Sequence, residues 1–309
     1  MSATSTVETV DSTGASVSAF NHLTFGSTTS SASWSLTTPL DVNGDLAVVQ
    51  GTLARGTTNI TVAGDLTTGA SGSWSGLATT TFDGSAVANW SDAHATSSLQ
   101  NIGNVVVDGT TKAVVLSGNV AAESITIGAD DTLDASGSNY DVYVYGDWVN
   151  NNNFLARSGE VFFAATTSGQ SITTAGDAFF DVTFSGVGGT WAFTESTLLV
   201  NNDFRAATGT VTLPTGTTTI DGSFDATGGS FAHNNGTLFF TSDAAETITL
   251  DGGNFTNVTN NLTFNGAGSW NITDANATST GDVLIEQGVV TFPANTLAIG
   301  GTLTNSGGS

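Results

Sequence analysis

The sequence predicts an all-β protein, a parallel β-solenoid (β-helix) built from about fifteen coils of roughly 20 residues each. Two observations lead to this fold class. Apolar runs of about three to five residues alternate with Thr or Ser and are closed by Gly, Asn or Asp, as in the stretch Phe180–Gly186. These runs recur along nearly the whole chain, with no window that has a helical period. The pattern is therefore strand and turn, repeated in stacked coils.

A longer repeat of about 80 residues is superimposed on the coils. Trp34, Trp191 and Trp270 occupy equivalent positions in it. The copies cover residues of about 20–100, 101–179, 180–257 and, in part, 258–309. We expect residues 1–19, which are rich in Ser and Thr, to be a leader or a capping strand, and residues 20–309 to form one continuous solenoid.

The alternation of side chains along each strand predicts which residues face the interior of a coil. Thr183, Thr212 and Thr249 are expected to face outward. The residues expected to face inward are Val182, Phe184, Val211, Leu213, Leu238, Phe240, Ile248 and Leu250. The run Asn150–Asn153 is expected to bond neighbouring coils or turns through its side-chain amides.

The strongly negative net charge limits which classes of molecule the protein can bind. The formal net charge is −23, and the chain has only four Lys and Arg residues. Nucleic acids and anionic membranes are bound through Lys and Arg, so both are excluded as partners. No apolar stretch is long enough to insert into a membrane, and the first residues do not read as a signal peptide.

Two groups of acidic residues are weak candidates for a metal site. Asp41, Asn43 and Asp45 resemble the start of a calcium loop, but Leu46 and Thr52 stand where such a loop needs Gly and Glu. The Gly-Asp pair recurs along the chain, which indicates a corner of the solenoid instead. Asp130 and Asp131, close to Asp134, form the tightest acidic cluster, and a surface turn explains it better than a cation or catalytic site. We therefore predict no metal and no cofactor.

A β-helix could also act on carbohydrates. A β-helix that cleaves acidic sugars needs basic residues, and a glycoside hydrolase needs paired carboxylates at a fixed separation. Trp90 lies outside the recurring pattern and is the candidate sugar contact. A carbohydrate-binding or carbohydrate-cleaving β-helix is thus the alternative function, and no catalytic residue is predicted.

The stretches Gly222–Phe240 and Asn261–Trp270 resemble β-strand-repeat surface proteins, the filamentous-haemagglutinin-like solenoids of giant bacterial adhesins. The resemblance lies in the order of strand and turn residues. It implies an extracellular or cell-surface location, a structural or adhesive role, and cell-surface glycans as candidate partners.

The last coil predicts self-association. The final residues stop within a repeat, and Leu297, Ile299 and Leu303 are expected to form an apolar edge. Such an edge would pair with the first coil or residues 1–19 of a second copy, in an open-ended head-to-tail contact. The sequence therefore favours a structural subunit of a surface filament, or an adhesin stalk, over an enzyme.

Overall fold

The computed structural model describes residues 2–3, 7–11, 20–28, 32–251 and 258–309. The predicted leader therefore lies largely outside the described residues. The chain forms two compact units, Met1–Gly159 and Glu160–Ser309, here called unit 1 and unit 2. Both units consist of short parallel β-strands, and the predicted fold class is confirmed. The solenoid has about 13 turns with a spacing of ~21 residues, close to the predicted coil number and length.

Unit 1 contains eighteen described strands and one short 3-10 helix, Thr96–Ser98. Its strands are β1 Ser2–Ala3, β2 Val7–Val10, β3 Leu23–Ser27, β4 Ser33–Leu36, β5 Leu40–Val42, β6 Leu46–Ala54, β7 Ile60–Val62, β8 Leu66–Ser75, β9 Thr79–Phe82, β10 Ala88–Asp92, β11 Asn104–Val107, β12 Ala113–Leu116, β13 Val120–Ala122, β14 Ser124–Ile127, β15 Thr132–Asp134, β16 Val142–Val144, β17 Trp148–Asn150 and β18 Asn153–Leu155. One face follows the order β1-β3-β6-β8-β10-β12-β15-β18, and β2 joins it through β4. A second face follows β5-β7-β9-β11-β14-β17, and β13 pairs with β16.

Unit 2 contains the remaining described strands. They are β19 Glu160–Phe163, β20 Gln170–Thr173, β21 Asp181–Phe184, β22 Thr190–Phe193, β23 Thr197–Val200, β24 Phe204–Ala206, β25 Thr210–Thr212, β26 Thr217–Ile220, β27 Phe224–Asp225, β28 Ser230–Ala232, β29 Thr237–Phe240, β30 Ala245–Thr249, β31 Asn261–Phe264, β32 Ser269–Ile272, β33 Asn276–Ser279, β34 Val283–Ile285, β35 Val289–Thr291, β36 Thr296–Ile299 and β37 Leu303–Asn305. Its faces follow the orders β19-β21-β24-β27-β30-β32-β35, β20-β22-β25-β28 and β23-β26-β29-β31-β34-β37. β33 pairs with β36.

Coil length varies, which explains why the predicted period was slightly short. Ile220 pairs with Phe240, twenty residues later, whereas Phe240 pairs with Phe264, a step of 24 residues. The additional residues lie in the turns, because the paired strands keep their register across both steps. Turns tolerate such insertions at little cost, so a strict period is not required by the stacked strands.

The inward assignment is confirmed. All eight side chains predicted to face the interior are buried, and Thr212 and Thr249 are only partly covered. Thr183 lies between the inward-facing Val182 and Phe184 on the outer face, but it is only 6% exposed, so it is covered there. Thr183 pairs with Phe162 on one side and Arg205 on the other. Long neighbours on an outer face can cover a short side chain between them, and alternation alone does not predict this.

Aromatic rings stack through the interior of both units. The three tryptophans predicted to be equivalent each lie against a phenylalanine at a centroid distance of 5.3 Å. The pairs are Phe25–Trp34, Phe184–Trp191 and Phe264–Trp270, with interplanar angles of 52°, 59° and 53°. Tilted ring pairs at this distance stabilise the fold beyond the burial of their apolar surface. The recurrence of one contact geometry explains why Phe and Trp return together in the sequence.

The coil that follows each of these tryptophans passes so close that only glycine fits. Gly209 has φ +76°, and a Cβ added there would lie 2.6 Å from the Gly189 carbonyl oxygen and 2.7 Å from Trp191 Cζ3. Gly169 has φ +90° but nothing within 4 Å of an added Cβ. A substitution at Gly169 therefore tests backbone strain alone, and a substitution at Gly209 tests backbone strain together with a steric clash.

We expect Gly169→Ala to lower the free energy of unfolding by about 1–2 kcal/mol, the cost of a left-handed conformation. Gly209→Ala should cost a further ~1–3 kcal/mol, because the ring of Trp191 must move. Guanidinium denaturation of both variants checks this difference. Equal losses would show that the close approach at Gly209 contributes nothing.

Candidate assembly site

The corners of the coils carry a recurring contact between neighbouring turns. In unit 1, Oδ1 of Asp45 accepts the backbone N–H of Asp65 at 2.9 Å, and Oδ1 of Asp65 accepts that of Asn89 at 2.7 Å. His22 begins this ladder, since its Nδ1 accepts the N–H of Asp45 at 3.0 Å. Each acceptor and donor are 20 to 24 residues apart, one coil along the chain. The Gly-Asp pairs at residues 44–45 and 64–65 are thus corner residues, as their recurrence indicated.

Unit 2 repeats the arrangement. Oδ1 of Asp181 accepts the N–H of Asp203 at 2.9 Å, and Oδ1 of Asp203 accepts the N–H of Ser223 at 2.8 Å. Burial raises the pKa of Asp203, the bond from Ser223 opposes this, and the charges of Asp181 and Glu246 raise it further. Stacking carboxylates in this way therefore has an electrostatic cost.

A further ladder in unit 2 reaches the last strand. Oδ1 of Asn261 accepts the N–H of Asp282 at 2.9 Å, and Oδ1 of Asp282 accepts both the N–H and the hydroxyl of Thr302 at 2.7 Å. These bonds from Thr302 lower the pKa of Asp282. In all three ladders the side-chain acceptor belongs to the earlier coil and the backbone donor to the later one. These three ladders therefore share one direction along the chain.

The run Asn150–Asn153 behaves as predicted. The Nδ2 groups of Asn151 and Asn152 donate to the carbonyl oxygens of Ile127 and Asp131 at 3.0 and 2.8 Å, and Nδ2 of Asn153 donates to Oγ1 of Thr132 at 3.1 Å. All three acceptors lie in the preceding coil. These amides join coils in unit 1, as the carboxylates do at other corners.

The first group of weak metal candidates lies in strand β5 and in the corner that follows it. Asp41 lies in β5, the backbone N–H of Asn43 donates to the Phe20 carbonyl oxygen at 2.7 Å, and Asp45 belongs to the ladder described above. In the part of the chain that the structure describes, no group of three His, Asp or Glu residues is arranged to hold a metal. Of the three, Asp45 has a side-chain hydrogen bond to the next coil, and Asp41 and Asn43 bond Phe20 through their backbones.

Asp130 and Asp131 belong to a turn. Oδ1 and Oδ2 of Asp131 accept the backbone N–H groups of Lys112 and Gly109 at 2.6 and 3.2 Å, and Oδ2 of Asp130 accepts that of Thr111 at 3.3 Å. Asp130 is exposed, but Asp131 is fully buried, so the description of the pair as a surface turn was half wrong. A buried carboxylate that accepts two N–H groups stabilises the turn of the preceding coil.

Trp90 does not fit the role of a sugar contact. It lies within β10, paired with Leu66 in β8 and Leu116 in β12, and it is only 1% exposed. Its ring packs against Phe82 at 5.9 Å. Trp90 therefore belongs to a coil of unit 1, contrary to its predicted place outside the repeat, and its ring presents no face to a ligand.

The four basic residues give no positive surface. Arg157 pairs with Asp134 through two hydrogen bonds of 2.8 Å, and Arg205 pairs with Asp225 at 3.4 Å. The Arg157 guanidinium is the main cause that holds the pKa of Asp134 below its usual range. Arg55 and Lys112 are buried. The sequence does not predict that Arg55 and Lys112 are buried, because no acidic residue near either of them in the sequence suggests an ion pair.

The last coil of unit 2 exposes apolar side chains. Leu303 in β37 is 52% exposed, and Leu297 and Ile299 in β36 are half-buried, although equivalent inward residues of the preceding coils are buried. Among the described residues, β37 pairs only with β34, and β36 only with β33. We call Leu297, Ile299 and Leu303 with these two strand edges the assembly edge.

No protein-family model matches the chain, and no curated protein or solved structure is significantly similar to it. The described residues include no helix of the length and apolarity needed to cross a bilayer.

Proposed function

We propose that this protein is a non-enzymatic structural protein of the cell surface, which associates with copies of itself by stacking coil on coil. It would serve as a filament subunit or as the stalk of an adhesin. The observation that carries this proposal is the stacked-coil architecture, in which each coil joins the next through parallel strand pairing and corner hydrogen bonds, and the assembly edge presents a surface of the same kind. A sheet edge of this kind is a template for a further strand.

The chemistry of the coil junction supports the same proposal. Within each unit, coils associate through parallel strand pairing, inward apolar contact and the directional corner ladders. A second copy that continues this direction would meet the assembly edge with backbone N–H groups and apolar residues of its own first coil. The contact is head-to-tail and does not close on itself, which leads to filaments.

The surface location is proposed on composition. The chain has no cysteine and is rich in Ser, Thr and Gly, and its order of strands and turns resembles that of adhesin solenoids. Cell-surface glycans remain candidate partners under this proposal. With Trp90 buried, no described feature favours the alternative carbohydrate-active function.

We expect the protein to form larger species as its concentration rises, and to do so more readily at high ionic strength. Copies that each carry a formal charge of −23 repel one another, and salt screens this repulsion. Sedimentation velocity across a concentration series at low and high salt measures both effects. A monomer at every concentration and ionic strength would contradict self-assembly.

A matched pair of variants locates the contact. Leu303→Glu places a charge within the assembly edge and should abolish the larger species. Val187→Glu makes the same chemical change at an apolar side chain that is 74% exposed outside that edge, and should leave association unchanged. Equal behaviour of the two variants would place the contact elsewhere.

Turnover of a polysaccharide that is lost in Asp130→Asn or Asp131→Asn would contradict the non-enzymatic role.

A further inference from the structure

The only lysine of the chain is buried inside unit 1. Lys112 is 0% exposed, and its Nζ donates to the backbone carbonyl oxygen of Ala63 at 2.5 Å. Its backbone N–H is held by Asp131, so the base of the side chain is fixed at the corner before β12. Among the described residues, no carboxylate forms an ion pair with this amine. The charges of Asp83, Asp65 and Asp131 act on the amine without direct contact, so its burial is only partly compensated.

The register of the strands shows what lies beside the lysine side chain. Val62 pairs with Phe82, and Phe82 pairs with Val107, so Ala63, Asp83 and Asp108 follow at equivalent positions in three successive coils. The backbone bonds Asp83 N to Val62 O and Asp108 N to Phe82 O, both 3.0 Å, continue that register. Lys112 belongs to the third of these coils and bonds the first. Its side chain must therefore pass the coil that carries Asp83.

Asp83 has a buried carboxylate oxygen without a hydrogen-bond partner, Oδ1. The pKa of Asp83 is raised, first by burial and then by the charge of Asp41. Burial lowers the pKa of Lys112, while Asp83 is the first of the charges that oppose this shift. Both shifts favour the neutral forms, a free amine and a carboxylic acid, which are the reactive forms for making an amide.

We propose that Lys112 and Asp83 condense into an intramolecular amide bond between Nζ and Cγ, a covalent crosslink between coils of unit 1. The proton first moves from the ammonium to the carboxylate. The Nζ lone pair then attacks Cγ, a C–N bond forms, a C–O bond breaks, and the oxygen leaves with two protons as water. No oxidant or cofactor is needed.

Lys112 and Asp83 are not in contact in this arrangement, because Nζ bonds the Ala63 carbonyl oxygen and forms no ion pair with Asp83. Nζ leaves the Ala63 carbonyl oxygen and shifts by roughly the separation of neighbouring strands, about 4.8 Å, through rotation of the flexible side chain. Once Nζ has moved, a site shielded from water that confines both groups would supply the effective concentration that the reaction requires. The crosslink depends on the packing of unit 1 and not on the proposed assembly.

The test is the mass of the intact, full-length protein under denaturing conditions. We expect it to be lighter than the sequence mass by one water molecule, and proteolysis should yield a branched peptide that joins the segments containing residues 83 and 112. Lys112→Arg and Asp83→Ala should both show their full sequence masses. Asp83→Asn should lose one ammonia molecule only when Lys112 is present, and the double variant Asp83→Asn with Lys112→Arg separates this from succinimide formation at residues 83 and 84.

The Lys112→Arg variant is also the decisive control. Asp83 precedes Gly84, and such a pair can lose water by forming a succinimide without any lysine. A loss of water that persists in Lys112→Arg would overturn the crosslink, as would a wild-type protein of full mass. Because mass is read on the unfolded chain, neither result depends on how well a variant folds or on whether the protein forms filaments.

Discussion

Replacing Phe184 with alanine is expected to lower the free energy of unfolding by about 3–5 kcal/mol. Phe184 is fully buried and stacks on Phe163 at 5.2 Å. Its ring also contacts Trp191, Phe193 and Phe204 at 5.3, 6.3 and 5.5 Å. Truncation would leave a cavity between coils that stacked neighbours cannot fill without breaking strand register.

Guanidinium denaturation followed by tryptophan fluorescence checks this value. Thr212→Ala is the control, because Thr212 faces outward and is only partly covered, so its loss should be below about 0.5 kcal/mol. Thr183→Ala is not a suitable control, since Thr183 is covered by its neighbours. A similar loss for Phe184→Ala and Thr212→Ala would show that the ring stack does not hold unit 2 together.

Arg55→Ala should destabilise unit 1 by a comparable amount, about 3–5 kcal/mol. Its guanidinium donates to the carbonyl oxygens of Gly76, Ala78 and Ile102 and to Oγ1 of Thr80. It also lies 5.4 Å from the ring centroid of Trp74. Removing it would leave several buried carbonyl groups without a donor, in addition to a cavity.

The charge at Arg55 persists at neutral pH, because burial lowers its pKa only to about 10. Arg205→Ala is the matched control, as Arg205 is exposed and forms one surface ion pair with Asp225. Its expected loss is below about 1 kcal/mol. Arg55→Lys should fall between the two, since an ammonium retains the charge but cannot bond four acceptors in a fork. Equal midpoints for Arg55→Ala and Arg205→Ala in thermal or chemical denaturation would contradict the bridging role.

The sequence by itself determined the fold class and the interior. Strand and turn residues at a constant interval have few ways to bury their apolar face other than stacking, so the inward set of unit 2 could be assigned from alternation alone. The same reasoning identified the recurring Gly-Asp pairs as corners and the asparagine run as a link between coils. Local chemistry was sufficient there, because each role is set by a residue and its immediate neighbours.

Only the tertiary structure decided which polar residues are buried and what they contact. Arg55, Lys112 and Asp131 look like surface charges in the sequence, yet they bond groups up to 49 residues away, because stacking brings one corner of each coil against the next. Trp90 lies outside the recurring sequence pattern, yet strand pairing places it in the interior. Contacts between coils depend on register and on side-chain reach, and neither is encoded in the local pattern.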